Sequence, residues 1–196
     1  MRRRAMASLV CTIVLGLAAT AHATTWKVDP SHTTVGFRVS HLFTSVHGRF
    51  DRFDGTIEFD PEDPKATAVR GTIESASIDT NHEKRDKHLR SADFFDVEKY
   101  PTLSFESTGV THVNGKSGKL AGSLTIRGVT KAVVLDVTFL GRGKDPWGNV
   151  RAGFTATLLI DRKDFGLNWN EILETGGLLV GDEVAIRIDA EGILAE

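Results

Sequence analysis

The chain has 196 residues, with 24 Lys and Arg against 26 Asp and Glu. That near-balance offers no basic field for nucleic acid. A single cysteine allows no internal disulfide, and no apolar run reaches the about 20 residues of a membrane-spanning helix.

Arg2, Arg3 and Arg4 head the chain, a mostly apolar run follows over residues 5–19, and Ala21-His22-Ala23 places small residues around a cleavage point. This order predicts a secretory signal over residues 1–23, cleaved after Ala23. Cleavage removes Cys11 and three basic residues. It leaves 173 residues carrying 21 basic and 26 acidic groups, a length that suits one all-β domain over 24–196.

From there the chain repeats a period of two, the pattern of strands with one apolar and one wet face. Residues 25–28 form a short candidate. Residues 33–41 alternate Val35, Phe37 and Val39 with Gly36, Arg38 and Ser40. Residues 49–59 carry Ile57 and Phe59 in one phase and Phe50 and Phe53 out of it, which predicts a bulge or bend near Gly55. Asp60-Pro61-Glu62-Asp63-Pro64 is a turn. Strands at 68–78 and 102–113 follow, then Asn114-Gly115, a strong hairpin signal. Strands at 119–127 and 129–140, a glycine-rich loop at 141–149, and strands at 149–161 and 183–194 complete the set. Eight or nine strands are enough for a closed antiparallel barrel of about eight strands.

Residues 79–90 break the pattern. Thr80 and Glu83 have capping-box spacing, and Glu83 and Lys87 stand four apart. They predict a short surface helix within a helical insertion near 80–96, anchored by Phe94 and Phe95. A second irregular stretch at 168–181 predicts one helical turn around 170–174.

Little in the chain points to catalysis or metal. His32, His41, His47, His82, His88 and His112 show no ligand spacing, so no metal site is expected. No nucleophile elbow occurs, and Glu83, Asp86, Asp93 and Asp96 read as a solvated charged helix. No catalytic residue, no enzyme activity and no cofactor are expected. The inward register carries hardly a charge: Phe37, Val39, Phe105, Leu135, Phe154 and Ile186 fall on it. An eight-strand barrel is either filled by its own side chains or holds one small ligand, and alternation does not choose between the two. His41, Arg90 and Trp169 are headgroup candidates that no spacing rule selects.

Taken in order, several stretches resemble the YceI family of exported lipid-binding proteins. They are Trp26-Lys27-Val28-Asp29-Pro30-Ser31-His32, Val35-Gly36-Phe37-Arg38-Val39-Ser40-His41, Gly48-Arg49-Phe50, Ser77-Ile78-Asp79-Thr80, the run from Arg85 through Leu89-Arg90-Ser91-Ala92-Asp93-Phe94-Phe95-Asp96 to Tyr100-Pro101, Leu124-Thr125-Ile126-Arg127-Gly128-Val129-Thr130, Asp161-Arg162-Lys163-Asp164-Phe165-Gly166 and Val180-Gly181-Asp182-Glu183-Val184. The resemblance implies a lipocalin-like β-barrel in the periplasm, an apolar tunnel holding a long isoprenoid, isoprenoid quinone or acyl chain, and a homodimer in some members. It implies no catalytic motif. Arg85 with Asp86 is expected to pin the helix, and Arg162 with Asp164 to fix a turn. The rival readings are an envelope stress or interaction module with a packed core, and a lipid- or quinone-modifying enzyme.

Overall fold

The computed structural model describes residues 24–172 and 178–195. The predicted signal over 1–23 lies outside them, as do residues 173–174 of the helical turn expected around 170–174. The part of that turn inside them is not helical, because Ile172 bridges Leu178 in an extended pairing.

Among the described residues eleven strands appear: β1 (Thr24–Val28), β2 (Thr34–His41), β3 (Thr44–Phe50), β4 (Phe53–Phe59), β5 (Ala68–Glu74), β6 (Ile78–Asp79), β7 (Thr102–Asn114), β8 (Ser117–Ile126), β9 (Val129–Lys144), β10 (Val150–Asp161) and β11 (Val180–Leu194), with one α-helix, α1 (Glu83–Arg90). The sheet runs β1-β4-β5-β7-β8-β9-β10-β11, and β11 then pairs back to β1. Eight antiparallel strands thus close a barrel. β11 divides its outer edge: residues 180–189 pair with β2 and 192–194 with β1. The β2–β3 hairpin and β6 extend the wall beyond that fork.

The single strand expected at 49–59 is two. Phe50 ends β3 and Phe53 begins β4, and the chain turns a corner at Asp51-Arg52. Asp51 donates its backbone N–H to Ser77 O, and Glu74 donates to Arg52 O. The phase slip between Phe50 and Phe53 marks this corner. Gly115 sits at φ 57° in the β7–β8 turn, where a left-handed residue suits the strand twist. β9 runs to Lys144, past the start expected for the loop at 141–149. It carries an extra residue, Leu140, where the register to β10 shifts.

α1 falls where a helix was expected, but its cap differs. His82 is the N-cap, and its Nδ1 accepts the backbone N–H of Arg85 at 3.2 Å. Thr80 is buried and turned to Asp86 instead. Asp86 Oδ1 accepts from the Thr80 N–H at 2.9 Å and from its hydroxyl at 2.5 Å, while Arg85 donates to Thr80 Oγ1 and Thr80 O, both at 2.7 Å. Arg85 and Asp86 do not pair with each other. Both grip Thr80, and through it hold α1 to β6.

Candidate ligand cavity

Alternation sets which side chains face inward, and hydrogen-bonded register stacks them into a lining. Val35, Phe37 and Val39 of β2 stand opposite Ile188, Ile186 and Val184 of β11. Those three stand opposite Ala156, Leu158 and Ile160 of β10. Leu135, Val137 and Phe139 of β9 continue the wall, followed by Leu120 and Leu124 of β8, Leu103 and Phe105 of β7, and Ile57 and Phe59 of β4. The middle is not filled. These side chains enclose a cavity of about 790 Å³, inside the roughly 300–1,000 Å³ of small-molecule sites.

Aromatic rings close in at both ends. At one end Phe59 stacks near Phe139 and Phe154, with centroids 4.8 and 5.2 Å away. At the other, Phe50 packs between Phe37 and Phe95 at 5.9 and 5.7 Å. Beside them, His88 sits edge-on to Phe94 and Trp169 at 5.1 and 4.7 Å. This second end lies under α1, where Thr80, His82, Lys84, Arg85, His88, His41 and Arg162 border the cavity, while Lys116, Ser117 and Thr138 border it at the Phe139 end. Asp54 and Arg70 border it as well, but from solvent-exposed positions on the wall; Arg70 faces outward to pair with Glu106 at 2.9 Å.

All six residues expected to line a tunnel, Phe37, Val39, Phe105, Leu135, Phe154 and Ile186, face the cavity. Of the headgroup candidates, His41 and Trp169 border it, and His41 has no hydrogen-bond partner for its ring among the described residues. Arg90 does not border it. Its guanidinium donates to Ala76 O at 2.8 Å and Ile78 O at 2.6 Å, so it fastens α1 to the wall. The sequence reading left out Phe139 and Leu120, which their strands' alternation already marked. It also left out Val46 and the polar residues of α1, whose placement depends on how the insertion folds back over the barrel.

Arg162 is 3 % exposed. It donates to Gly181 O at 2.9 Å, Trp169 O at 2.9 Å and Leu167 O, and pairs with Asp182 at 3.2 Å. It therefore fixes the turn leading to Trp169, as expected. Asp164 has no part in this and lies 3.9 Å from Lys131. A second charged cluster lies outside the cavity. Asp29, His32 and Glu191 bring ligand-type atoms together, and the Arg151 guanidinium already sits among them. It donates to Asp29 at 2.7 Å, Glu191 at 2.5 Å and Asp145 at 2.7 Å. The Arg151 hydrogen bond, then that of His32, holds the Asp29 carboxyl down to about 2.

The residues from 26 to 192 match the family model described as a YceI-like domain. The chain belongs to the YceI-like family. A UPF0312 protein of Pseudomonas paraeruginosa is 42 % identical over 196 residues, covering 98 % of this chain and 99 % of its own. Among solved structures, Burkholderia cenocepacia BcnA is similar with a TM-score of 0.75 at 26 % identity, over 84 % of this chain and 98 % of its own. The Campylobacter jejuni YCEI protein matches with a TM-score of 0.67 at 32 % identity, over 77 % and 86 %. A polyisoprenoid-binding domain from Saccharophagus degradans shares the fold, with a TM-score of 0.64 at 16 % identity over 88 % and 99 %.

Proposed function

We propose that this YceI-like protein is a periplasmic carrier that holds one long apolar chain, an isoprenoid, isoprenoid quinone or fatty-acyl compound, inside its barrel. The observation that carries this reading is the cavity of about 790 Å³ lined by apolar side chains from at least seven strands. Each methylene moved from water to such a lining is worth about 0.8 kcal/mol, whereas a polar guest would leave its hydrogen-bonding groups unpaired. The polyisoprenoid-binding domain with the same fold supports the chemical class. The tail lies against Phe37, Val39, Phe105, Leu135, Phe154 and Ile186. The headgroup stays at the α1 end, near His41 and Trp169. Residues 1–23 export the chain and are removed after Ala23, and the mature domain spans 24–196. The protein is a binder, not an enzyme, and needs no cofactor beyond the bound lipid.

The test is uptake by delipidated protein of a fluorescent probe with a long polyprenyl tail. One saturable site per chain is expected, competed by unlabelled polyprenol and not by its shortest homologues. Absence of saturable uptake by folded protein refutes the carrier and returns the reading to an interaction module.

A further inference from the structure

We infer that the rim at the α1 end of the barrel is a contact surface for a phospholipid bilayer, placed so that the cavity opens against the membrane. The β2–β3 hairpin meets the Ile172–Leu178 bridge there. The β2–β3 tip presents Leu42 and Phe43, which are 47 % and 97 % exposed. The bridge presents Ile172 and Leu178, 82 % and 48 % exposed. Leu42 donates its backbone N–H to Leu179 O at 3.0 Å, which joins this tip to the segment beside Leu178. His41, Leu179 and Val180, the residues next to these side chains, border the cavity. Apolar surface is therefore continuous from the lumen to the outermost side chains.

The turn chemistry points the same way. Leu42 stands at φ 51°, a left-handed conformation that Gly, Asn or Asp adopt at least cost in a tight hairpin. A leucine there, followed by an almost fully exposed phenylalanine, works against both conformational preference and solvation. Such local cost is retained where a surface is used. The size of the patch argues for a bilayer rather than a stable protein partner. Among the described residues, four apolar side chains there offer less than the roughly 800 Å² per partner of a standard protein interface. Insertion into the interfacial region of a bilayer needs only protruding apolar groups. α1 carries both signs of charge, with Lys84 beside Glu83. Attachment through the apolar tips is then only weakly sensitive to salt.

The inference takes from the carrier reading only its purpose, that a tail must pass between bilayer and barrel. The test is flotation of the full mature chain with vesicles of phosphatidylethanolamine and phosphatidylglycerol, at low and high salt. The double variant Phe43→Ser, Ile172→Ser is run alongside, with bound lipid extracted from both proteins. The wild type is expected to float at both salt concentrations. The variant is expected to bind at least about tenfold more weakly while its thermal melt and extracted lipid stay unchanged. A variant that floats like the wild type overturns the inference. So does a wild type that ignores vesicles, including one that instead dimerises through Phe43. Loss of flotation in the variant, with no lipid extracted from either protein, upholds the bilayer contact and refutes the carrier.

Discussion

Phe37 and Phe105 each lie flat against a glycine in the opposing strand. A Cβ added at Gly48 would fall 2.3 Å from the Phe37 ring, and one at Gly122 would fall 2.4 Å from that of Phe105. The glycines let two large rings lie along the wall and leave the lumen open. Gly48→Ala is expected to drive the Phe37 ring inward, costing about 1–3 kcal/mol of stability and shrinking the space for a tail. Denaturant melts and the amount of lipid retained measure both effects, and unchanged retention argues that Phe37 does not shape the site. Phe154→Arg places a charge in the lumen and is expected to abolish retention; full retention by a folded variant removes Phe154 from the lining. At this scale the sequence was most legible. The period of two selects the inward face of each strand, and Phe37, Phe154 and Ile186 follow it. Arg90 shows where that stops: nothing in its spacing says that two backbone carbonyls claim its guanidinium.

At the scale of elements, α1 depends on one buried contact more than on its own turn chemistry. Asp86 is 6 % exposed and accepts both hydrogen bonds of Thr80. Asp86→Ala leaves the Thr80 N–H and hydroxyl without that acceptor and is expected to cost about 1–3 kcal/mol, read from urea unfolding. A loss below a few tenths would mean α1 is held mainly by Leu89, Phe94 and Phe95. The sequence located the helix by its charge, but gave the cap to Thr80 because capping-box spacing was present. Burial against β6 redirected that side chain. The corner at Asp51-Arg52 was visible only as a phase error, since a slip of one residue reads alike whether a strand bulges or ends. The Arg151 cluster ties Asp29, just past the end of β1, to β10 and β11 and gives the fold a dependence on acid. The Asp29 carboxyl, held at about 2 by Arg151 and His32, lies below its unfolded value of about 3.9. Its stabilisation is complete above that value and is lost as pH falls toward 2. Stability is expected to drop over that window in the native chain and less steeply in Asp29→Asn, followed by thermal melts from pH 5 to pH 2. Parallel curves would show that the cluster does not set acid stability.

For the molecule as a whole, closure is the decisive property. Strand count and patterning allow a closed barrel of about eight strands, and the motif order favours it. The closing pair, Trp26 to Leu194 across the length of the chain, carries no local signal, because pairing between distant strands depends on the twist and stagger of all those between. Whether the interior is hollow was equally unreadable. Alternation gives the identity of inward residues, while free volume depends on how far rings such as Phe37 fold against the wall. The central claim, one long apolar molecule per barrel, is tested most directly by solvent extraction of the purified native protein followed by mass spectrometry. A hydrophobic compound with a long isoprenoid or acyl chain, at close to one per chain, is the predicted result. Repeated extraction of well-folded protein that yields no such compound would contradict it.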